Sequence, residues 1–70
     1  MERSDLIQHE GQFGILKTIN DKFKKELPGW IKEVDSFGNV WFVDTDNHDF
    51  IFKSDRIMSF EPEEFKGNIN

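Results

Sequence analysis

The residues best able to do chemistry lie together in one polar run, Asp44-Thr45-Asp46-Asn47-His48-Asp49. Oxygen ligands at alternate positions begin the calcium-binding loop of an EF-hand. Three positions depart from that loop, because His48 stands fifth, Asp49 stands sixth where glycine makes the turn, and Asp55 replaces the glutamate at the twelfth. Asp and Asn also tolerate the left-handed backbone of tight turns. The run therefore predicts a polar hairpin turn, and we assign no metal site.

The sequence shows no catalytic constellation. His9 and His48 could each ligate a metal or act as a general base, but neither has a histidine, cysteine or carboxylate at a spacing that defines a site. No serine lies in a Gly-x-Ser-x-Gly turn, and there is no glycine-rich phosphate loop. The lack of cysteine excludes thiolate zinc sites and disulfide bonds. We therefore predict a protein that is not an enzyme and uses no cofactor.

The charge balance disfavours nucleic acid as a partner. Fourteen acidic and nine basic residues give a net charge of −5 at pH 7. This charge opposes a polyanion, since affinity for nucleic acids rests largely on Lys and Arg. The one cationic cluster, Lys22, Lys24 and Lys25, is flanked by Asp21 and Glu26 and is typical of a solvated loop. We therefore expect no direct binding to RNA or DNA.

The excess of carboxylates suggests one alternative function. Small acidic inhibitors of the type that phages encode present carboxylates, in place of phosphates, to a nucleic-acid-binding protein of the host. Nine basic residues dilute the negative charge here. The residues that would form such an acidic surface are Asp35, Asp44, Asp46, Asp49, Asp55, Glu61, Glu63 and Glu64.

These side chains must be positioned by a small β-structure. Between Gly29 and Phe60, apolar clusters alternate with short polar runs at nearly regular intervals, which is typical of a β-meander. β-Branched and aromatic side chains dominate the clusters, and they fit a half-buried pleated surface. The clusters are Trp30-Ile31 with Val34, Val40 to Val43, Phe50 to Phe52, and Ile57 to Phe60.

The first part of the chain permits two interpretations. Ser4 to Glu10 predicts a short helix, with the Ser4 hydroxyl as its N-cap and Gly11 as its stop. Gln12 to Ile19 predicts a strand, because Gly11 and Gly14 would each weaken a helix by ~1 kcal/mol relative to alanine. The apolar spacing also permits an α+β alternative, in which a longer helix over 13–27 packs on a meander of three to four strands.

Proline and charge set the remaining boundaries. The run Asp21 to Glu26 could form a helical turn, and Pro28-Gly29 is a turn signal that should end it. Pro62 lacks a ladder donor and should end the last strand. Residues 62–70 form a short acidic tail that we expect to be solvated, with Phe65 the one residue able to pin it back.

Length and hydropathy predict a single domain over 1–70. No apolar run approaches the ~20 residues that a membrane-spanning helix needs. The N-terminal sequence Met-Glu-Arg-Ser-Asp lacks the apolar segment of a signal peptide. We therefore expect a cytoplasmic protein with no membrane contact.

The layout resembles the small barrels of the Sm-like and SH3-like families. Segments 29–35, Gly-Trp-Ile-Lys-Glu-Val-Asp, and 38–44, Gly-Asn-Val-Trp-Phe-Val-Asp, are similar to consecutive Sm strands, and Ser54 to Phe60 looks like the closing strand. The resemblance implies a mainly β fold, a five-stranded antiparallel SH3-like/Sm-like barrel over 12–61 with a helix at 4–10. The RNA-binding motifs of the Sm-like family differ, because Asp35 to Asn39 is one residue too long and no glycine follows Arg56. An Sm-like RNA-binding protein is the second alternative function.

Two segments of the meander do not alternate between apolar and polar residues. A half-exposed strand should be apolar on one face only, yet Val40 to Val43 and Phe50 to Phe52 are apolar on both. The core would take Val40, Phe42, Phe50 and Phe52, with Phe42 and Phe52 nearly fully buried. A second apolar face then remains, made of Trp30, Trp41, Val43 and Ile51.

That second face is either covered by the chain's own helix or tail, or it binds protein. We favour the second interpretation. It describes a non-enzymatic protein-interaction module that binds a protein partner or itself through an aromatic sheet face. Self-association would most simply give a homodimer with Trp41 near the contact.

Overall fold

In the computed structural model, which describes residues 1–19 and 25–65, one antiparallel sheet organises the chain. The elements are α1 (Arg3–Ile7), β1 (Phe13–Thr18), β2 (Lys25–Val34), β3 (Asn39–Asp44), β4 (Asp49–Lys53), a 3-10 turn (Ser54–Arg56) and β5 (Ile57–Pro62). The strands lie side by side in the order β4-β3-β2-β1-β5. This confirms a mainly β, five-stranded antiparallel fold with a short N-terminal helix. Within these residues the edge strands β4 and β5 do not pair, so the sheet is not closed into a barrel.

β1 forms a strand because one of its faces belongs to the core. Its residues alternate between half-buried and buried, and Leu16 is completely enclosed. The alternative of a helix over 13–27 is therefore wrong, since 13–18 form β1 and 25–27 begin β2. The helical turn expected over 21–26 lies mostly outside the described residues, and its last residue, Glu26, is in β2.

Two glycines face each other in the β1–β2 pair, with Gly14 opposite Gly29. A Cβ atom on Gly14 would lie 2.6 Å from Phe60 Cζ, and one on Gly29 would lie 2.7 Å from Phe42 Cζ. Backbone carbonyl oxygens of β5 and β3 would be closer still, at 2.4 and 2.2 Å. The two phenylalanine rings therefore occupy space that any side chain at these positions would need.

The prediction that Pro28-Gly29 forms a turn is wrong, because both residues lie inside β2. On the β1 side, the Ile31 N–H donates to the Gln12 carbonyl at 3.3 Å, and Pro28 lies opposite Ile15. Bonded and non-bonded pairs alternate along an antiparallel ladder, so the Pro28 nitrogen points away from β1. On that other side β3 pairs with β2 only from Gly29 onward. The missing N–H of proline thus removes no ladder bond.

α1 starts and ends earlier than expected. It begins at Arg3 with Glu2 as the N-cap residue, and no side chain makes a capping bond there. The N-cap assigned to Ser4 is therefore wrong, because Ser4 lies within the helix and the Glu2 carbonyl accepts the first N–H bonds. The helix ends at Ile7 rather than at residue 10. Gly11 does have the left-handed φ, 82°, that a stop position predicts. Among the described residues, no helix has the length and apolar character needed to span a membrane.

α1 and the loop after it complete the backbone pairing of β2. Leu6 is completely buried in the core. Beyond the end of β1, the Gly11 N–H donates to the Ile31 carbonyl at 2.6 Å, and the Glu10 carboxylate accepts the Val34 N–H at 2.7 Å. These bonds satisfy backbone groups of β2 that β1 is too short to reach.

The core lies on the face of the sheet that Leu6 covers, which we call the inner face; the opposite side is the outer face. Its buried members are Leu6, Leu16, Ile31, Val34, Val40, Phe42, Ile57 and Phe60. Phe42 is completely buried, as expected. Phe50 and Phe52 pack against this core but are only half-buried, because β4 has no neighbouring strand on its far side. The expectation that Phe52 is nearly fully buried is therefore wrong.

Candidate interaction surface

The four residues expected to form a second apolar face lie on the outer face as two cross-strand pairs. Trp30 lies opposite Val43, and Trp41 lies opposite Ile51. Trp41 and Ile51 are 40% and 66% exposed, whereas Val43 is 8% exposed and Trp30 is half-buried. The Trp41–Ile51 pair is therefore the more accessible of the two pairs.

The other pair is covered by the chain itself. Phe65, which follows β5, packs on Phe13 and on Trp30 with ring centroids 4.9 Å apart in both cases. Phe13 and Trp30 are 5.0 Å apart and tilted by 58°, a geometry that aromatic pairs prefer. We call Phe13, Trp30 and Phe65 the aromatic cluster. Phe65 thus covers part of the outer face at Trp30, and the assignment of Trp30 and Val43 as contact residues stays a prediction.

The exposed pair lines a shallow groove of about 220 Å³, which we call the Trp41 groove. Its lining residues are Glu33, Asp35, Asn39, Trp41 and Ile51. Trp41 lies between Glu33 on β2 and Ile51 on β4, in register with both. Its indole N–H donates to Asp49 Oδ1 at 3.2 Å. The ring is therefore held in a defined orientation on three neighbouring strands.

Asp35 gives the groove a charged and rigid rim. Its Oδ1 accepts the N–H groups of Phe37 and Asn39, both at 2.8 Å, and its Oδ2 accepts the Asn39 side-chain N–H at 3.0 Å. These bonds, led by the one from the Asn39 side chain, lower the pKa of Asp35 below its ordinary value of 3.8. Arg3 donates to the backbone carbonyl of Asp35 and not to its carboxylate. The carboxylate therefore keeps its negative charge at neutral pH.

An indole face beside carboxylates suits a cation. The ring quadrupole attracts a Lys or Arg group within ~6 Å of the ring centroid. Glu33 and Asp35 supply opposite charge, and Ile51 offers apolar surface for the stem of such a side chain. The groove is therefore chemically fitted to a basic side chain with apolar neighbours.

The polar run from Asp44 to Asp49 forms the predicted hairpin turn between β3 and β4. Asp44 Oδ1 accepts the N–H groups of Asp46 and His48 at 2.9 and 2.8 Å, and Asn47 takes a left-handed φ of 67°. The turn brings one ligand atom each of Asp44, Asp46 and His48 within 4.8 Å of one another, a grouping that spacing alone did not indicate. The backbone bonds, that of the His48 N–H first, lower the pKa of Asp44. Because these hydrogen bonds belong to the turn, they explain why the three residues lie close together without a metal ion.

The eight carboxylates considered as an acidic surface are spread over the molecule. Asp35 and Asp44 are half-buried and engaged in turns at opposite ends of β3, and the ends of such a strand lie ~17–20 Å apart. Asp49 bonds to Trp41. The remaining five are exposed in turns or at the end of β5: Asp46, Asp55, Glu61, Glu63 and Glu64.

Sequence reasoning missed Glu33 and Asn39, which complete the Trp41 groove. The register that places Glu33 opposite Trp41 arises from a shift between Ile31 and Glu33. The local pattern of apolar and polar residues does not indicate this shift. Comparison with protein-family models, with curated proteins and with solved structures finds nothing that matches the chain. Function is therefore inferred from the geometry of the described residues.

Proposed function

We propose that the chain is a non-enzymatic interaction module that binds a protein partner through the Trp41 groove. The observation that carries this proposal is the exposed Trp41–Ile51 pair with carboxylates at its side. Tryptophan is among the residue types that dominate binding energy at protein interfaces. Strand register and the bond to Asp49 already set the orientation of the Trp41 ring. Little side-chain conformational entropy is therefore lost on binding.

The partner that fits best is a protein segment with an arginine or lysine between apolar side chains. A cation over the Trp41 ring is worth ~0.5–1 kcal/mol at an exposed site, and an exposed ion pair with Glu33 is worth ~0–1 kcal/mol. Covering Ile51 and the open part of the indole contributes ~25 cal/mol per Å² of apolar surface. Apolar contact therefore supplies most of the affinity, and charge selects the partner.

The two tryptophans allow a direct test by ¹⁵N–¹H NMR. The probe is a short peptide with arginine between two leucines, and the matched probe carries glutamate in place of arginine. The indole N–H signal of Trp41 should shift at a lower concentration of the arginine peptide than of the glutamate peptide, while that of Trp30, which packs in the aromatic cluster, should stay in place.

Two variants complete this test. Trp41→Ser has no Trp41 indole signal, so its binding is followed on the backbone N–H signals. These signals should no longer shift when the arginine peptide is added. Phe37→Ser removes an aromatic ring that is 84% exposed but does not line the groove, so it should bind like the parent. Equal shifts with both peptides, or undiminished binding by Trp41→Ser, would contradict the proposal.

We also propose that the fold is a small barrel of the Sm-like or SH3-like type. The single antiparallel sheet of five strands and the short helix before β1 support it, and the unpaired edges of the described sheet are a difference. The two alternative functions have less support. Nucleic-acid mimicry needs a continuous row of carboxylates, and those present are divided among the turns at the two ends of β3, the 3-10 turn and the end of β5. Sm-like RNA binding needs loop motifs that Asp35 to Asn39 and Arg56-Ile57 do not reproduce.

A further inference from the structure

The two edges of the sheet are protected very differently. β5 contains Pro62, which has no N–H, and its pairing with β1 is interrupted by a register shift. Proline, charge and irregular pairing are the usual means by which edge strands avoid other strands. β4 contains no proline and pairs with β3 residue by residue over its full length. β4 is therefore the edge on which another strand can add.

The hydrogen-bond phase of β4 shows which backbone groups are available. The Asp44 N–H donates to the His48 carbonyl at 3.1 Å, and the Ser54 N–H donates to the Gly38 carbonyl at 2.8 Å. Bonded pairs alternate with non-bonded pairs between these two points, so Phe50 and Phe52 bond to β3. The N–H and C=O groups of Asp49, Ile51 and Lys53 point away from β3. No other strand of the described chain lies on that side.

We propose that a second copy of the chain fills this position, with β4 paired antiparallel to β4 about a two-fold axis at Ile51. The sequence Asp-Phe-Ile-Phe-Lys is complementary to its own reverse. Asp49 falls opposite Lys53 of the second copy, Phe50 falls opposite Phe52, and Ile51 falls opposite itself. Opposite charges placed directly across an antiparallel pair stabilise it.

This register is also the one that uses every available backbone group. Asp49, Ile51 and Lys53 of one copy lie opposite Lys53, Ile51 and Asp49 of the other copy. Each of these three facing pairs exchanges two N–H···O bonds between the copies. A slip of two residues in either direction leaves one outward residue unpaired and sets a charged residue opposite Ile51. A parallel arrangement would place Asp49 opposite Asp49. Only the arrangement centred on Ile51 satisfies both the charges and the ladder.

The pairing covers the apolar surface that the monomer leaves open. Ile51 is 66% exposed, and the half-buried rings of Phe50 and Phe52 are stacked at 5.6 Å with 9° between their planes. In the dimer these rings meet their counterparts on the inner face, while the two Ile51 side chains meet on the outer face. Both Trp41 grooves lie on the same side of the joined sheet. The dimer thus goes beyond the proposed function and places two binding grooves side by side.

A charge exchange at the two ends of β4 tests the pairing. Lys53→Asp sets Asp49 against an aspartate, and Asp49→Lys sets two lysines against each other. Each variant alone should raise the dimer dissociation constant by roughly tenfold to a hundredfold, as measured by sedimentation equilibrium of the full chain. An equimolar mixture of the two variants restores opposite charges at both contacts and should form a heterodimer. Lys32→Asp in β2 and Asp5→Lys in α1 make the same charge changes at exposed positions outside β4 and its turn and should leave dimerisation as in the parent.

Amide hydrogen exchange gives a second measurement that does not depend on any variant. Dilution from the dimer to the monomer should expose the amides of Asp49, Ile51 and Lys53, while those of Phe50 and Phe52 stay bonded to β3.

A parent protein that is monomeric at high micromolar concentration overturns the proposal, and so does dimerisation unaffected by either charge variant. A dimer lost on Trp41→Lys yet unchanged by the β4 variants would also overturn it, in favour of face-to-face contact. Peptide binding in the Trp41 groove is measured on the monomer as well, so failure of the dimer and failure of the groove are distinguishable.

Discussion

Phe42 and Phe52 form a matched pair for alanine substitution, because both face the inner side on neighbouring strands with ring centroids 6.4 Å apart. Phe42 is 0% exposed, and removal of a fully buried phenylalanine costs ~3–5 kcal/mol. That loss is comparable with the whole stability of a domain of this size, which has no cysteine and so no disulfide to support it. Phe42→Ala should therefore be largely unfolded in buffer.

Phe52→Ala should fold, because part of the ring is already in water at the edge of the sheet. Its expected cost is smaller, roughly 1.5–2.5 kcal/mol. Urea unfolding followed by circular dichroism should show a lower midpoint with an unchanged m-value. If β4 pairs with β4 of a second copy, the cost should grow with protein concentration, since only the folded state dimerises.

Two results would refute this reasoning. Equal destabilisation by the two substitutions would mean that β4 is enclosed on its far side as β3 is. A Phe42→Ala protein that unfolds cooperatively near the parent midpoint would mean that the inner face has been assigned wrongly.

The tail, the turns and the glycines can be tested with single changes. Phe65→Ala should cost ~1–2 kcal/mol, since about half of the ring is buried, and should shift Trp30 fluorescence to longer wavelength; an unchanged spectrum would contradict the aromatic cluster. The folded-state pKa values of Asp35 and Asp44 are lowered below 3.8, so the unfolded chain binds protons first as pH falls. The stability that these two carboxylates contribute should be fully present above their unfolded-state pKa and should be lost as pH falls through their folded-state pKa, with a smaller loss in Asp35→Asn, as urea midpoints across the range would show. Gly29→Ala should cost ~3 kcal/mol or more through overlap with backbone. Gly11→Ala, with open space but a φ of +82°, should cost only ~1 kcal/mol; the reverse order of melting temperatures would exclude this explanation.

The fold class was predictable because its signals are local. Apolar clusters separated by turn residues specify the meander of β2, β3 and β4, and Asp44 and Asn47 supply the caps and left-handed backbone that such turns need. The prediction that the meander continues through Ile57 to Phe60 is wrong, because β5 pairs with β1 and not with β4. The glycines around residue 12 made a strand preferable to a helix, and β1 is a strand. Each of these inferences depends on neighbours in sequence.

The errors came from information that is not local. Pro28 would end a strand flanked on both sides, but here its nitrogen faces the side where β3 has already stopped. Phe52 is a phenylalanine on the inner face, as Phe42 is. Only the order of strands in the sheet places Phe52 on an edge strand and Phe42 on an interior strand. The groove depended on a register shift in β2, and the covering of Trp30 depended on where the tail returns.

The facing pair Gly14 and Gly29 affects how this protein reaches its fold. At that point β1 and β2 carry no inner-face side chain, so the hairpin they form gains nothing from burial there by itself. The missing volume is filled by Phe42 and Phe60, which come from strands on either side and from a later part of the chain. The rate-limiting step of folding should therefore require β3 and β5 to be docked, with no stable β1–β2 intermediate, and folding should be slow for so short a chain because these contacts are distant in sequence.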